Sequence, residues 1–417
     1  MTGPDSPGCS ACAVYDPSLT SYDFGAGHPM SPVRVDLTVR LAAELGVLAL
    51  DGNPGLLPTI PAPTASDDLV ATVHEPDYIA AVKRIGADPG LEDEERGLGT
   101  ADNPTFAGMH EASAHVVGAT VEAARAVWSG EVLHAANISG GLHHAMRDHA
   151  SGFCIFNDGV LAIRALLDAG AKKVAYVDID VHHGDGVQAA FYRDPRVLTV
   201  SVHESGRTLF PGTGFADEVG TGEGVGTSVN VALPYGTDDA GWLRAVGAVV
   251  PDVLRAFRPE VLVTQHGCDT HAWDPLAHLE CTVDAQAIAF GWLHALAHEL
   301  CGGRWVALGG GGYDWARVVP RAWTHLIAIA SGGTAAGSTP PDWRALVAER
   351  AARDGIAPAD LSDGASPQHV GYDPDAPSAD PRIDPRVDAA IRETRSEVFP
   401  LLGLDPTSPA PAAPALP

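Results

Sequence analysis

The residues with the plainest chemical capacity lie in one run, Asp178-Ile179-Asp180-Val181-His182-His183-Gly184-Asp185-Gly186. It follows Val174-Ala175-Tyr176-Val177, an apolar and partly β-branched stretch, and ends in a glycine-containing turn. That is the pattern of a buried strand running into a loop. Side chains alternate faces along a strand, so Asp178, Asp180 and His182 are expected on one side. Two carboxylates and an imidazole buried together are costly unless a cation sits between them. A divalent metal meets that need, because carboxylate oxygen and neutral imidazole nitrogen are both good zinc ligands. The bland alternative is a strand end whose acids are solvated or paired with a lysine.

Other reactive residues recur at similar places. His143 and His144 follow a Gly140-Gly141 turn after the apolar run 131–137, and Asp269 follows the β-rich run 261–265. Tyr313 comes after four consecutive glycines, Gly309 to Gly312. Such a run permits backbone conformations closed to other residues and lets a phenol be aimed into a cavity. It could also cradle phosphate, but the Lys and Ser/Thr of a P-loop are missing. Arg34 falls in the first turn of a helix, where the macrodipole disfavours a cation. It is therefore either solvated or facing a functional anion.

The elements that must position these groups alternate along the chain. Strands are predicted at 14–16, 131–137, 174–177, 197–203, 228–233, 261–265 and 305–308. Between them lie helices: one after Ser31-Pro32, one from Pro76, and others over 105–128, 158–169, 184–192, 238–257 and 283–301. Asn157 is placed to cap the helix from 158. Strand, polar loop and helix in repetition make a parallel sheet with helices on both faces, whose ligands sit beyond the carboxyl ends of the strands. His143/His144, Asp180/His182, Asp269 and Tyr313 each fall at or just after such an end.

Charge narrows the function classes. Lys plus Arg total 26 against 53 Asp plus Glu, a net charge of -27. That field repels phosphate backbones, which argues against nucleic-acid binding, and favours cationic partners such as lysine-bearing peptides. No secretory signal and no uninterrupted apolar stretch of membrane-spanning length is visible, so no membrane span and a cytoplasmic location are expected. Six cysteines in 417 residues form no disulfide framework, and Cys9-x-x-Cys12 lacks a second pair to complete a zinc site.

The central run also belongs to a larger set of motifs. These are Gly27-His28-Pro29-Met30, Gly141-Leu142-His143-His144-Ala145, Gly152-Phe153-Cys154-Ile155-Phe156-Asn157-Asp158, Phe210-Pro211-Gly212-Thr213-Gly214 and Gly309-Gly310-Gly311-Gly312-Tyr313. With them the chain resembles the histone deacetylase family of the arginase/deacetylase superfamily, over about residues 14–330. The resemblance implies an α/β fold of three layers, an eight-stranded, mostly parallel sheet flanked by helices. It also implies metal-assisted removal of acetyl groups from lysine side chains.

On the matched motifs, Asp180, His182 and Asp269 would hold the metal, His143 and His144 would form the acid/base pair, and Asp178 and Asp185 would orient them. His144 is the favoured base, and Tyr313 would donate to the developing oxyanion. Asp102, Gly152, Phe153, Phe210 and Leu276 would bind substrate, and Arg34 would line a channel for departing acetate. A structural potassium ion would sit on Asp178, Asp180, His182, Ser201 and Val202. Arginases bind two manganese ions through Asp-x-His-x-Asp; here Gly184 follows His182 by two, so one catalytic metal is expected. Zinc is the expected ion, with Fe(II) the alternative, since both accept this ligand set.

The expected domain organisation is a disordered N-terminus over 1–12, a deacetylase domain over 13–333, an extension with short packed helices over 334–403, and a disordered tail over 404–417. The partner is expected to be an acetylated protein or peptide, an acetyl-CoA-forming synthetase among the candidates. Two alternatives share the fold: an amidohydrolase of acetylpolyamines or other small acyl amines, and a non-catalytic acetyl-lysine binder. Intact His143, His144 and Tyr313 disfavour the binder, and Asp102 on the long loop 88–103 favours a peptide over a polyamine.

Overall fold

The computed structural model describes residues 10–50, 52–375 and 380–410. The apolar, β-branched runs become β1 (Ala11–Val14), β2 (Thr59–Ile60), β3 (His134–Asn137), β4 (Val174–Asp178), β5 (Val197–Glu204), β6 (Ser228–Leu233), β7 (Val261–Gln265) and β8 (Trp305–Leu308). They form one sheet in the order β2-β1-β3-β8-β7-β4-β5-β6. Every neighbouring pair is parallel.

Period-two alternation divides the core between the two faces of the sheet. In β4, Val174 and Tyr176 pack on one face while Ala175 and Val177 pack on the other; in β8, Val306 and Leu308 oppose Trp305 and Ala307 in the same way. Helices Pro76–Ala87, Met109–Ser129 and Asp158–Asp168 cover the first face. Helices Val33–Glu44, Asp239–Phe257, Val283–Cys301 and Val319–Ala330 cover the second. Helix starts follow their capping residues: Asn157 accepts from the Val160 amide, Asp238 from Gly241 and Thr282 from Ala285. Three layers result.

Several boundaries differ from the sequence expectation. Disorder through residue 12 does not hold, because Ala11 and Cys12 pair with His134 and Ala135 and Cys12 is buried in the core. Residues 1–9, with Cys9, lie outside the described residues. The helix expected from 105 begins at Met109. Thr105 Oγ1 donates to the Pro89 carbonyl and the Gly108 amide to that of Gly86, which holds 105–108 in a loop.

At the other end, helices Pro341–Ala351 and Pro385–Val398 pack on the sheet-bearing unit. Trp343 Nε1 donates to the Leu37 carbonyl. Arg244, fully buried, makes a two-pronged ion pair with Asp388 at 2.6 and 3.1 Å. The tail expected to be disordered from 404 is instead held as far as 410: Arg395 Nη2 donates to the Ser408 carbonyl at 2.6 Å and the Ala410 amide to Tyr372 at 2.9 Å. Residues 411–417 lie outside the described residues. No helix of the described residues is long and apolar enough to cross a membrane.

Two core histidines give the fold a signature in acid. Burial pushes His266 down to about 3, although its Nδ1–H donates to the Leu308 carbonyl, and pushes His74 down to about 4. In the unfolded chain a histidine titrates near about 6.5. The folded state therefore binds fewer protons than the unfolded one below about 6.5, and stability contributed by these neutral rings is lost as pH falls toward their folded values. Chemical denaturation midpoints are expected to decline as pH falls between about 6.5 and about 4. A level midpoint through that interval contradicts the assignment of both rings as buried and neutral.

Candidate active site

Beyond Asp178 the chain leaves strand geometry. The Asp180 amide donates to Asp178 Oδ1 at 3.2 Å and the His182 amide to Asp180 Oδ1 at 2.9 Å, so each acid folds the backbone onto itself. Simple alternation therefore fails here, and Asp178 parts from the other two. Its Oδ2 accepts from His143 Nδ1 at 2.8 Å and from the Tyr176 hydroxyl at 2.9 Å.

Asp180 and His182 instead meet Asp269, delivered by the loop after β7. His182 Nδ1 lies 3.1 Å from both Asp180 Oδ1 and Asp269 Oδ2. All three residues are buried, and one donor atom from each lies within 4.8 Å of the others. Asp269 Oδ1 accepts from the Val181 amide at 2.9 Å, while Asp180 Oδ2 accepts from Gln265 Nε2 at 2.7 Å and from the Gly311 amide at 2.8 Å. The approach is so close that a Cβ on Gly267 would stand 1.9 Å from Asp180 Oδ2, and one on Gly311 2.0 Å from Asp269 Oδ2.

Charge is concentrated at this point. Burial pushes Asp180 up, but the facing His143 and His182 hold it well below the carboxylate range. Burial and the charge of Asp180 push Asp269 up to about 6. Asp274, whose oxygens accept from the Leu276 and Tyr313 amides, is pushed up to about 8 by burial and by Asp269. Two carboxylates sharing one imidazole nitrogen, in a cradle that only glycines can line, fit a divalent cation.

Beside them stand the paired imidazoles. His143 and His144 approach Nε2 to Nε2 at 3.0 Å, and His144 Nδ1 donates to Asp185 Oδ1 at 2.7 Å. Each ring is thus backed by its own carboxylate. Their environments diverge. Burial lowers His143, but Asp178 and Asp180 outweigh it and raise the ring to about 9. Burial and the charge on His143 lower His144 to about 4 against the opposing pull of Asp185. Tyr313 is raised well above the usual phenol range by burial first, then by Asp269 and Asp180.

Aromatic rings flank the imidazoles and the phenol. Phe153, at φ 67°, lies 5.6 Å from the Tyr313 ring, and the half-exposed Phe210 lies 5.0 Å from His144. Gly152 is wedged between them, since a Cβ there would fall 2.4 Å from His144 Cδ2 and 3.0 Å from Phe210 Cε1. Leu276 is half-buried beside Asp274. Asp102 is exposed, and its carbonyl accepts from His28 Nε2 at 3.2 Å.

Arg34 is not solvated. It is buried behind the glycine run, with Nη1 donating to the Gly310 carbonyl at 2.7 Å and its guanidinium 5.0 Å from the Trp323 ring. Ser201 and Val202 are buried on β5, with Ser201 paired to Asp178 in the ladder.

A sequence profile described as the histone deacetylase domain matches residues 28–330. The chain belongs to the histone deacetylase family. It is 46% identical over 332 residues to the acetoin utilization protein AcuC of Bacillus subtilis (strain 168), covering 79% of this chain and 84% of that one. It is 37% identical over 333 residues to AcuC of Staphylococcus aureus (strain MSSA476), with the same coverage. Among solved structures it is similar to an HDAC homolog complexed with SAHA, at a TM-score of 0.79 and 28% identity, spanning 92% of this chain and 100% of that one. As a member of a family of metal-dependent deacetylases, it has an acetylated compound as the implied substrate.

Some residues around this cluster were not singled out from the sequence. Gln265 reaches Asp180 from the neighbouring strand β7, Tyr176 reaches Asp178 from two residues earlier on β4, and Asp274, on a loop, accepts from the Tyr313 amide; Tyr22 donates to the Phe153 carbonyl at 2.8 Å across 131 residues. Gln265 alone offered a signal, as a lone amide ending the otherwise β-branched and apolar run 261–264. The wedge at Gly152 is directly testable. Gly152→Ala, strained at φ 51° and pressing on His144, is expected to lower deacetylase turnover by about a hundredfold while the circular dichroism spectrum is kept. Turnover within a factor of about two of the parent contradicts the packing described.

Proposed function

We propose that this chain hydrolyses the acetyl amide of N6-acetyl-lysine in proteins. The observation that carries the reading is the meeting of Asp180, His182 and Asp269 at one buried point beside two carboxylate-backed imidazoles. In this reading those three residues hold one catalytic metal, zinc in the first instance with Fe(II) as the alternative. Bound there, the metal supplies Lewis acidity that acidifies water and polarises the acetyl carbonyl.

The remaining steps belong to the protein. His144, held neutral and oriented by Asp185, takes the proton of the attacking water. His143, held cationic by Asp178 and Asp180, delivers a proton to the departing lysine amine. Tyr313 keeps its proton in this acidic pocket and donates it as a hydrogen bond to the oxyanion, a contribution of roughly 3 kcal/mol.

Phe153 and Phe210 flank the lysine stem, with Gly152 leaving room between them and Leu276 at the mouth. Asp102, exposed at the rim, holds the backbone of the substrate. Arg34 lines the channel for departing acetate in this reading; its side chain borders a small pocket of about 20 Å³ together with Tyr22 and Ser139. Asp178, Asp180, His182, Ser201 and Val202 hold a structural potassium ion in this reading, where the end of β4 lies beside Ser201 of β5. The name of the AcuC relatives supports a place in acetoin utilization; an acetyl-CoA-forming synthetase is the protein substrate of this reading.

Two measurements test this. Tyr313→Phe is expected to lower kcat on an acetyl-lysine peptide by about 10²–10³-fold with little change in KM; undiminished kcat overturns the assigned chemistry. Parent enzyme assayed side by side is expected to favour acetyl-lysine peptides over acetylpolyamines. Faster turnover of the polyamines overturns the substrate assignment while leaving the chemistry intact.

A further inference from the structure

A second cluster of metal-binding side chains lies at the opposite end of the sheet. His134 opens β3, and His294 and His298 stand four residues apart on helix Val283–Cys301, which places both on the face turned to β3. His298 Nε2 lies 3.1 Å from His134 Nε2 and 3.1 Å from His294 Nε2, and one ring nitrogen from each residue lies within 4.8 Å of the others. The rings are mutually near-perpendicular, at 85°, 85° and 83°.

Hydrogen bonding among neutral rings satisfies this arrangement only weakly. A ring nitrogen carries either one hydrogen or one lone pair in the ring plane. His298 Nε2 can therefore serve both short contacts only as a shared, three-centre donor, or else serve one of them by accepting from it. The Ala330 carbonyl accepts from His134 Nδ1 at 2.8 Å, which fixes that tautomer and leaves Nε2 with its lone pair toward the cluster. His294 is buried, and its Nδ1 has no hydrogen-bond partner.

The spacing suits one ion. Imidazole nitrogens roughly 2.0–2.1 Å from a metal stand roughly 3.0 Å apart in octahedral and roughly 3.4 Å apart in tetrahedral geometry, which brackets the observed contacts. His298 is exposed, and a cavity of about 410 Å³ opens beside His294, so an ion has a way in. We propose that His134, His294 and His298 form a second, structural site for a divalent transition ion of the zinc class. It would fasten helix Val283–Cys301 to the start of β3 and, through Ala330, to the end of helix Val319–Ala330.

The test is zinc stoichiometry. Untagged full-length protein, stripped with a chelator and dialysed against zinc chloride, is compared with His298→Ala by elemental mass spectrometry; circular dichroism verifies the fold of this exposed-site variant. His298→Ala is expected to hold one zinc fewer per chain than the parent, and to lose part of the zinc-induced rise in Tm. The difference of one is required whatever the active site binds, so Asp269→Ala, read in parallel, reports separately on that site. Equal zinc in parent and His298→Ala overturns the proposal and leaves the three rings as an aromatic cluster on Trp305.

Discussion

The constraint on which this structure turns is the burial of Asp180 and Asp269 against a single imidazole nitrogen. Charged groups removed from water are tolerated only when hydrogen bonds and opposite charge take the place of the solvent. Here the replacement comes mostly from distant parts of the chain. Gln265 and the Gly311 amide hold one oxygen of Asp180, the His182 amide holds the other, and the Val181 amide holds Asp269. The two glycines matter because nothing larger fits where the backbone meets the carboxylates. Such an over-determined pocket needs a rigid base. It has one in β3, β8, β7 and β4, which are adjacent in the middle of the sheet and whose carboxyl ends supply the imidazole pair, Tyr313, Asp269 and the central acids.

The same field sorts the two neighbouring histidines. Rings 3.0 Å apart cannot both carry a proton at Nε2 without repulsion, so a proton on one lowers the other. His143 faces Asp178 and Asp180, whereas His144 has only Asp185 behind it and feels the charge of its neighbour. An acid and a base therefore arise from adjacent residues of the same type, through placement alone. Tyr313 is held protonated by burial and then by the same acids.

Much of this was legible in the sequence. Apolar runs ending in polar loops place Asp180, His182, His143, His144, Asp269 and Tyr313 at one edge of a parallel sheet, because parallel strands have only one carboxyl edge. What alternation could not supply was the turn of the backbone after Asp178, which depends on that residue accepting the Asp180 amide and so sends its other oxygen to His143. Nor did helix-dipole reasoning find where Arg34 goes, because its partners are carbonyls 276 and 278 residues away. The terminal boundaries were misplaced for a related reason. Composition marks residues 1–12 and 404–417 as poor in core-forming residues, yet Cys12 has a ladder partner and Ser408 has the guanidinium of Arg395. Long-range pairing is invisible to local pattern.

The central claim is that one ion is gripped by Asp180, His182 and Asp269. Anomalous diffraction from crystals grown with the metal present, recorded on both sides of its absorption edge, tests it most directly. The account predicts a peak at roughly 2.0–2.2 Å from a donor atom of each of the three residues. A site with no peak there in metal-replete crystals, or with the three donors too far apart to share an ion, would contradict it.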